Sequence, residues 1–206
     1  MATLSLDALP YIKKLYYQKG LGAPKIADKL GVSLDAVYYF MRHNGLTRRS
    51  FSEENKLRFS RKKPTFRVKR RLSAKERELQ VAGVMLYWAE GHQTSTAQIV
   101  DFANSKPDMI RLFLKFLRRV YRIDESKIRA YLYCYSNQNA RTLIKFWSTT
   151  TKIPPQQFTK PYIRSDFNPA KIDRMPFGLL HVRYYDKKLL NLIRDLIKEF
   201  SIVLGR

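Results

Sequence analysis

The sequence predicts an α+β chain in three parts, and three observations predict it. Residues 1–46 carry apolar side chains three and four apart, broken by glycines, as short packed helices require. Residues 47–72 are rich in Lys and Arg and poor in aliphatics. From residue 73 to 206 helical spacing alternates with runs of period two, so helices and strands share one domain.

In the first part, Leu9, Ile12 and Leu15 or Tyr16 mark one helical face. After Gly20-Leu21-Gly22 comes APKIADKLGVSLDAVYYFMRHNG. There Ile26, Leu30, Val32, Val37 and Phe40 are apolar, Ala27 is small enough for two helices to cross closely, and Gly31 separates two helical stretches. Ser33 is a good N-cap for the second stretch, and Asn44-Gly45 a good stop. This is the spacing of a helix-turn-helix, a unit that places its second helix in the major groove of DNA. Its outward residues would be Ser33, Leu34, Asp35, Tyr38, Tyr39 and Arg42. Phosphate contacts would come from Lys25, Lys29, Arg48 and Arg49. A helical hairpin used for protein contacts has the same spacing and stays open.

The basic stretch reads as a solvated linker or arm. Beside a DNA-reading unit, Arg61, Lys62, Lys63, Arg67, Lys69, Arg70 and Arg71 would track phosphates and steepen the salt dependence of binding. Phe51, Phe59 and Phe66 recur in it, so parts are expected to order against the duplex or the neighbouring domain. A tether with no contacts is the alternative.

In the third part, Ser73 with Glu76 forms a capping box, and the helix runs on to Glu90. A strand is expected near Gln98–Ala103, then a helix over 108–121, a strand over 128–135 and a helix over 140–150. Two more strands are expected over 157–164 and 177–185, and a closing helix over 187–203. In IRAYLYCY one face is Ile128, Ala130, Leu132 and Cys134, and the other Arg129, Tyr131, Tyr133 and Tyr135. The outward sets around Phe158 and Leu180 would be Lys160, Tyr162 and Arg164, and His181, Arg183 and Tyr185. A sheet with one apolar and one basic, aromatic face can lie along a nucleic-acid groove. A merely solvated sheet face is the competing reading.

Composition narrows the partners. The 206 residues carry a formal net charge of +23, with 45% hydrophobic and 13% aromatic content. So basic a folding chain expects a polyanion: nucleic acid first, an anionic membrane surface second. No apolar stretch is long enough to span a bilayer, and nothing points to a small-molecule substrate. The first residues lack the basic-then-apolar order of a signal peptide, and Cys134 is alone. The expected setting is therefore cytoplasmic, nucleoid-associated or another reducing compartment, and not secretion.

The helix that ends at Glu90 is the most distinctive segment. VAGVMLYWAEG closes an uncharged run with one acid and a glycine. Gly83, Leu86 or Tyr87, and Glu90 share a face, and Gly83 and Ala82 leave room for close approach. An acid at a helix C-terminus meets an already negative end, so a cation, such as a divalent metal, would favour it. A core helix whose last residue reaches solvent explains the same pattern. Gly91 is expected as the C′ stop.

GVMLYWAEG resembles a divergent LAGLIDADG motif, and IVDFANSKPDMIRLFLKFLRRVY resembles the strand and helix that follow it in homing endonucleases. The resemblance spans roughly residue 74 to the C-terminus. It implies an antiparallel saddle sheet backed by helices and resting on the major groove. It also implies a motif helix packed on its twin, and Glu90 with Gly91 at a site for Mg2+ or another divalent cation. Glu90 takes the place of the family's Asp, while Met85 stands where its first Gly falls and Trp88 where a polar residue is common. Only one copy of the motif occurs, so the resemblance implies a homodimer through the helix ending at Glu90, acting on double-stranded DNA at a roughly palindromic site. The implied activity is metal-dependent phosphodiester hydrolysis with Glu90 catalytic. A non-cleaving transcriptional regulator, or an RNA-binding splicing helper, is implied by the same fold.

Overall fold

The computed structural model describes residues 4–165 and 175–204. The protein is α+β: among the described residues it has eight α-helices and a four-stranded sheet. The chain divides into two compact units, Met1–Lys63 and Pro64–Arg206.

The first unit is all helical. A 3-10 turn (Leu6–Ala8), α1 (Leu9–Lys13) and a wider π turn (Lys14–Gln18) run on as one helical segment. It is followed by α2 (Ala23–Leu30), α3 (Leu34–His43) and α4 (Phe51–Arg61). Ile12, Leu15, Ile26, Ala27, Val37, Phe40 and Met41 form its core. Between α2 and α3 the chain turns at Gly31, whose φ of 65° an L-residue adopts only with strain; a Cβ there would meet nothing. Its requirement is thus conformational. Ser33 then caps α3, its hydroxyl accepting from the Ala36 N–H at 3.1 Å.

The second unit contains α5 (Ala74–Glu90), β1 (Val100–Asn104), α6 (Pro107–Val120), β2 (Ile128–Tyr135), α7 (Ala140–Thr151), β3 (Tyr162–Arg164), β4 (Leu179–Tyr184) and α8 (Lys187–Leu204). The strand order is β1-β4-β2-β3. β4 lies antiparallel between β1 and β2, but β3 runs parallel to β2, so the sheet is mixed, whereas the resemblance to homing endonucleases implies an antiparallel one. The cause is the connection: β2, α7 and β3 form a crossover, which returns the chain in the same direction. β3 is also shorter than the expected 157–164. Pro155–Gln157 forms a 3-10 turn, and Pro161 has no N–H to give a ladder.

Val84 and Tyr87 of α5, six side chains of α6, and Trp147, Leu190 and Ile193 pack on the buried sheet face of Phe102, Ala130, Leu132 and Val182. Phe113 stacks on Phe102 at 4.3 Å between ring centres. Gly83 belongs to this packing. A Cβ on it would lie 2.1 Å from Phe116 Cγ, so its missing side chain admits α6 of the same chain.

The basic stretch 47–72 is only partly linker. Residues 51–61 form α4 in the first unit, opened by a Ser50–Glu53 capping box. At 65–67 the chain is pinned to the second unit. The Thr65 N–H donates to Asp186 Oδ2 at 2.8 Å, Arg67 N–H to Tyr121 O at 2.8 Å, and Phe66 enters the core. Asp186 is buried and also caps α8, accepting from Lys188 N–H at 2.9 Å.

Candidate nucleic-acid interface

Strand alternation builds the candidate surface. Every second residue of β1, β2 and β4 is buried against the helices, which turns Asp101, Arg129, Tyr131, Tyr133, His181 and Arg183 to the other face. Register aligns them. Asp101, Arg183 and Arg129 form one cross-strand row, and Ala103, His181 and Tyr131 the next. Tyr162 and Arg164 of β3 pair with Tyr133 and Tyr135 and extend the face to the sheet edge.

The aromatic groups touch one another. Tyr133 lies 5.1 Å from Tyr131, 5.1 Å from Tyr162 and 4.9 Å from His181, centre to centre. The Arg183 guanidinium sits 4.8 Å over the Tyr131 ring, and Arg164 5.7 Å over Tyr135. Rings held in this way lose little freedom when a ligand arrives.

One acid ties two of the cations together. Asp101 accepts from His181 Nδ1 at 2.9 Å and from Arg183 Nε at 2.8 Å. A carboxylate only accepts, so His181 Nδ1 carries its proton there, and the ring presents Nε2. Burial pushes the Asp101 pKa up. The His181 hydrogen bond and the charges of His181 and Arg183 outweigh burial and hold the group below its ordinary value. The sequence pattern does not single out Asp101. Its alternation with Val100 and Phe102 turns it outward, but only the register of β1 on β4 shows that it meets His181 and Arg183.

Glu90 is the exposed last residue of α5. Gly91 follows the last helical residue, as expected of the stop, but in extended backbone, φ −81°, not in the left-handed conformation common for glycine there. It is a glycine for space: a Cβ would lie 2.5 Å from the Tyr87 ring. The Gln93 side-chain amide donates to Trp88 O at 2.7 Å and satisfies an open carbonyl of the helix end. Among the described residues no three His, Cys, Asp or Glu side chains gather to hold a metal.

The outward face of α5 is apolar. Gly83, Val84 and Tyr87 face the core, which leaves Val81 and Trp88 exposed and Ala82 and Met85 half-buried on the other side, with Ala89 exposed beside them. These positions fall at helical spacing, so they form one stripe.

No family model, curated protein or solved structure matches this chain.

The remaining expected contacts fall into distinct settings. Lys25, Asp35 and Arg42 are exposed in the first unit, and Tyr39 is 62% exposed and stacked on His43. Ser33 spends its hydroxyl on capping. Tyr38 is half-buried, with the Arg48 guanidinium 4.2 Å over its ring.

Arg49 is a correction. Its side chain is 11% exposed; it pairs with Glu54 and donates to Tyr16 O at 2.7 Å and Leu21 O at 2.8 Å. With Nε, Nη1 and Nη2 each turned to one of these acceptors, the side chain braces the helices of the first unit instead of reaching out to solvent as the expected phosphate contact would. Arg61 donates to Lys19 O. Lys62 and Lys63 are exposed, as are Arg67, Arg70 and Arg71, whereas Lys69 meets Glu76 at 2.5 Å. That contact, with the Ser73 cap, draws the Glu76 pKa down to about 2. Only a subset of the basic stretch therefore presents its charge to solvent. Lys160 is exposed just ahead of β3. Among the described residues no helix is long and apolar enough to cross a membrane.

Proposed function

We propose that this protein binds double-stranded DNA at specific sites as a homodimer and hydrolyses phosphodiester bonds there, in the manner of a LAGLIDADG-like homing endonuclease. The observation that carries the reading is the outer sheet face. Arg129, Arg164, His181 and Arg183 alternate there with Tyr131, Tyr133 and Tyr162, on a chain of net charge +23. Cations neutralise phosphates, and fixed rings and guanidinium groups contact base edges and sugars.

Two further features support it. The turn at Gly31 and the capped α3 fit a helix-turn-helix reading of the first unit, in which the exposed Asp35, Tyr39 and Arg42 would read bases. The apolar stripe of α5 gives a second copy a surface to cover; Glu90 lies off that stripe at the C-terminal end of the helix, so the proposal requires the two helices to cross near that end for the carboxylates to meet. Two carboxylates are hard oxygen donors suited to Mg2+, which when bound would supply charge stabilisation to a hydrolysed phosphate. The Glu90 pair would position that ion, and the sheet faces would hold the duplex across it.

A second reading is a non-cleaving regulator on the same surfaces. It is favoured by Met85 and Trp88, which stand where the LAGLIDADG motif has a glycine and a polar residue. Incubating the wild type and Glu90→Gln with a plasmid library and Mg2+ separates the two. The proposal expects site-selective cutting by the wild type and binding without cutting by the variant. Selective binding with no nicking by the wild type would reject hydrolysis.

A further inference from the structure

We infer that the helical layer of the second unit carries a separate contact for nucleic-acid backbone phosphates, on the side away from the outer sheet face. α6 packs inward through Ile110, Phe113, Phe116, Leu117 and Val120. Arg111, Lys115, Arg118 and Arg119 follow at intervals of four, three and one, so they form one stripe along its outer side. With Thr150 and Lys152 at the end of α7 they line a pocket of about 230 Å³. No acid lines it.

The pocket is built rather than a casual run of surface lysines. Arg118 grips Glu125 through Nε at 2.8 Å and Nη2 at 2.9 Å, and its Nη1 donates to Thr151 O at 2.7 Å. This clamp fixes the end of α7 against α6. It places Lys152 at the rim, in left-handed backbone with φ 60°. Glycine would adopt that conformation without strain, whereas a lysine costs about 1 kcal/mol there. A cation is compatible with the negative end of α7, yet the dipole alone accounts for neither Lys115 nor Arg111, which sit well inside α6. Arg111 pairs with Asp108, and Arg118 with Glu125. Lys115, Arg119 and Lys152 meet no acid among the described residues, so the pocket keeps an excess of three positive charges.

Phosphodiester groups suit this pocket. They carry one charge each at a fixed spacing along a strand, which matches cations repeated along one helix side. The pocket opens on the opposite side of the unit from the tyrosine face, so a short straight duplex seated on the sheet does not reach it. A longer or bent nucleic acid does.

The test uses the full chain and a long duplex. Lys115→Ala combined with Lys152→Gly should lower the slope of log affinity against log salt by about two. Lys152→Gly also relieves the left-handed strain, so thermal melting separates lost contacts from lost folding. In parallel, acetylation of Lys115 and Lys152, read by mass spectrometry, should slow when the long duplex is added, but not with a duplex long enough only for the sheet. An unchanged slope in a folded variant, or equal acetylation with and without the long duplex, overturns the inference. The sheet variants Arg129→Ala and Arg164→Ala are measured alongside. If they lower the slope and the pocket variant does not, the pocket fails and the sheet reading stands; the reverse rejects the sheet reading and keeps the pocket.

Discussion

Replacing Asp101 with asparagine tests how the outer sheet face is held. The carboxylate accepts two charge-assisted hydrogen bonds, from His181 and Arg183. Its side chain is 12% exposed, and those of its partners 20% and 26%, so solvent screens the pair only in part. Asparagine keeps the shape and one acceptor oxygen but loses the charge. The net cost is about 1–3 kcal/mol, the range for a charged hydrogen bond discounted for partial exposure. For a unit of this size that corresponds to a fall of about 3–10 °C in melting temperature. Its pH dependence has a definite sign. The folded pKa of Asp101 lies below its ordinary value of 3.8, so its contribution is present above that value and is lost as pH falls through the folded pKa. The wild type and Asp101→Asn should therefore differ by a constant amount near neutrality and converge in acid. Melting followed by circular dichroism from pH 7 to pH 3 reads both effects. Equal stability at pH 7, or a gap that persists undiminished at pH 3, would refute the role given to Asp101.

Three other substitutions follow from packing. Gly83→Ala gains about 1 kcal/mol of helix propensity but drives a methyl into Phe116; the overlap costs more, so the second unit loses about 1–2 kcal/mol, and adding Phe116→Leu recovers part of it in a double-mutant cycle. Arg49→Ala leaves Tyr16 O, Leu21 O and Glu54 without their donor and destabilises the first unit by about 2–4 kcal/mol in urea, and Arg49→Lys does not restore the forked contacts. Trp88→Lys places a charge in the apolar stripe of α5, so sedimentation should find a monomer where the wild type is dimeric, with the melting temperature little changed because Trp88 is 41% exposed in the single chain.

Local signals are legible in the sequence, and pairings between distant segments are not. The Gly31 turn, the Ser33 and Ser73 caps and the alternation of β2 are set by residues within a few positions, and they appear where expected. α4 has a signal too: Ser50 and Glu53 form the same capping box as Ser73 and Glu76, but the surrounding charge reads as a solvated arm. The parallel course of β3 depends on how α7 crosses, and the grip on Thr65 depends on Asp186, 121 residues away. At the candidate site, the outward tyrosines and arginines follow from period two. Asp101 as the acid that ties His181 to Arg183, and Arg49 as an internal brace, need the register and the helix packing.

The central claim is that the outer sheet face lies on the DNA backbone. The most direct measurement is the salt dependence of duplex binding by the wild type and by an Arg129→Ala, Arg164→Ala double variant. The expected variant folds normally, binds all sequences more weakly and shows a slope shallower by about two. A folded variant with the wild-type slope and affinity would contradict it.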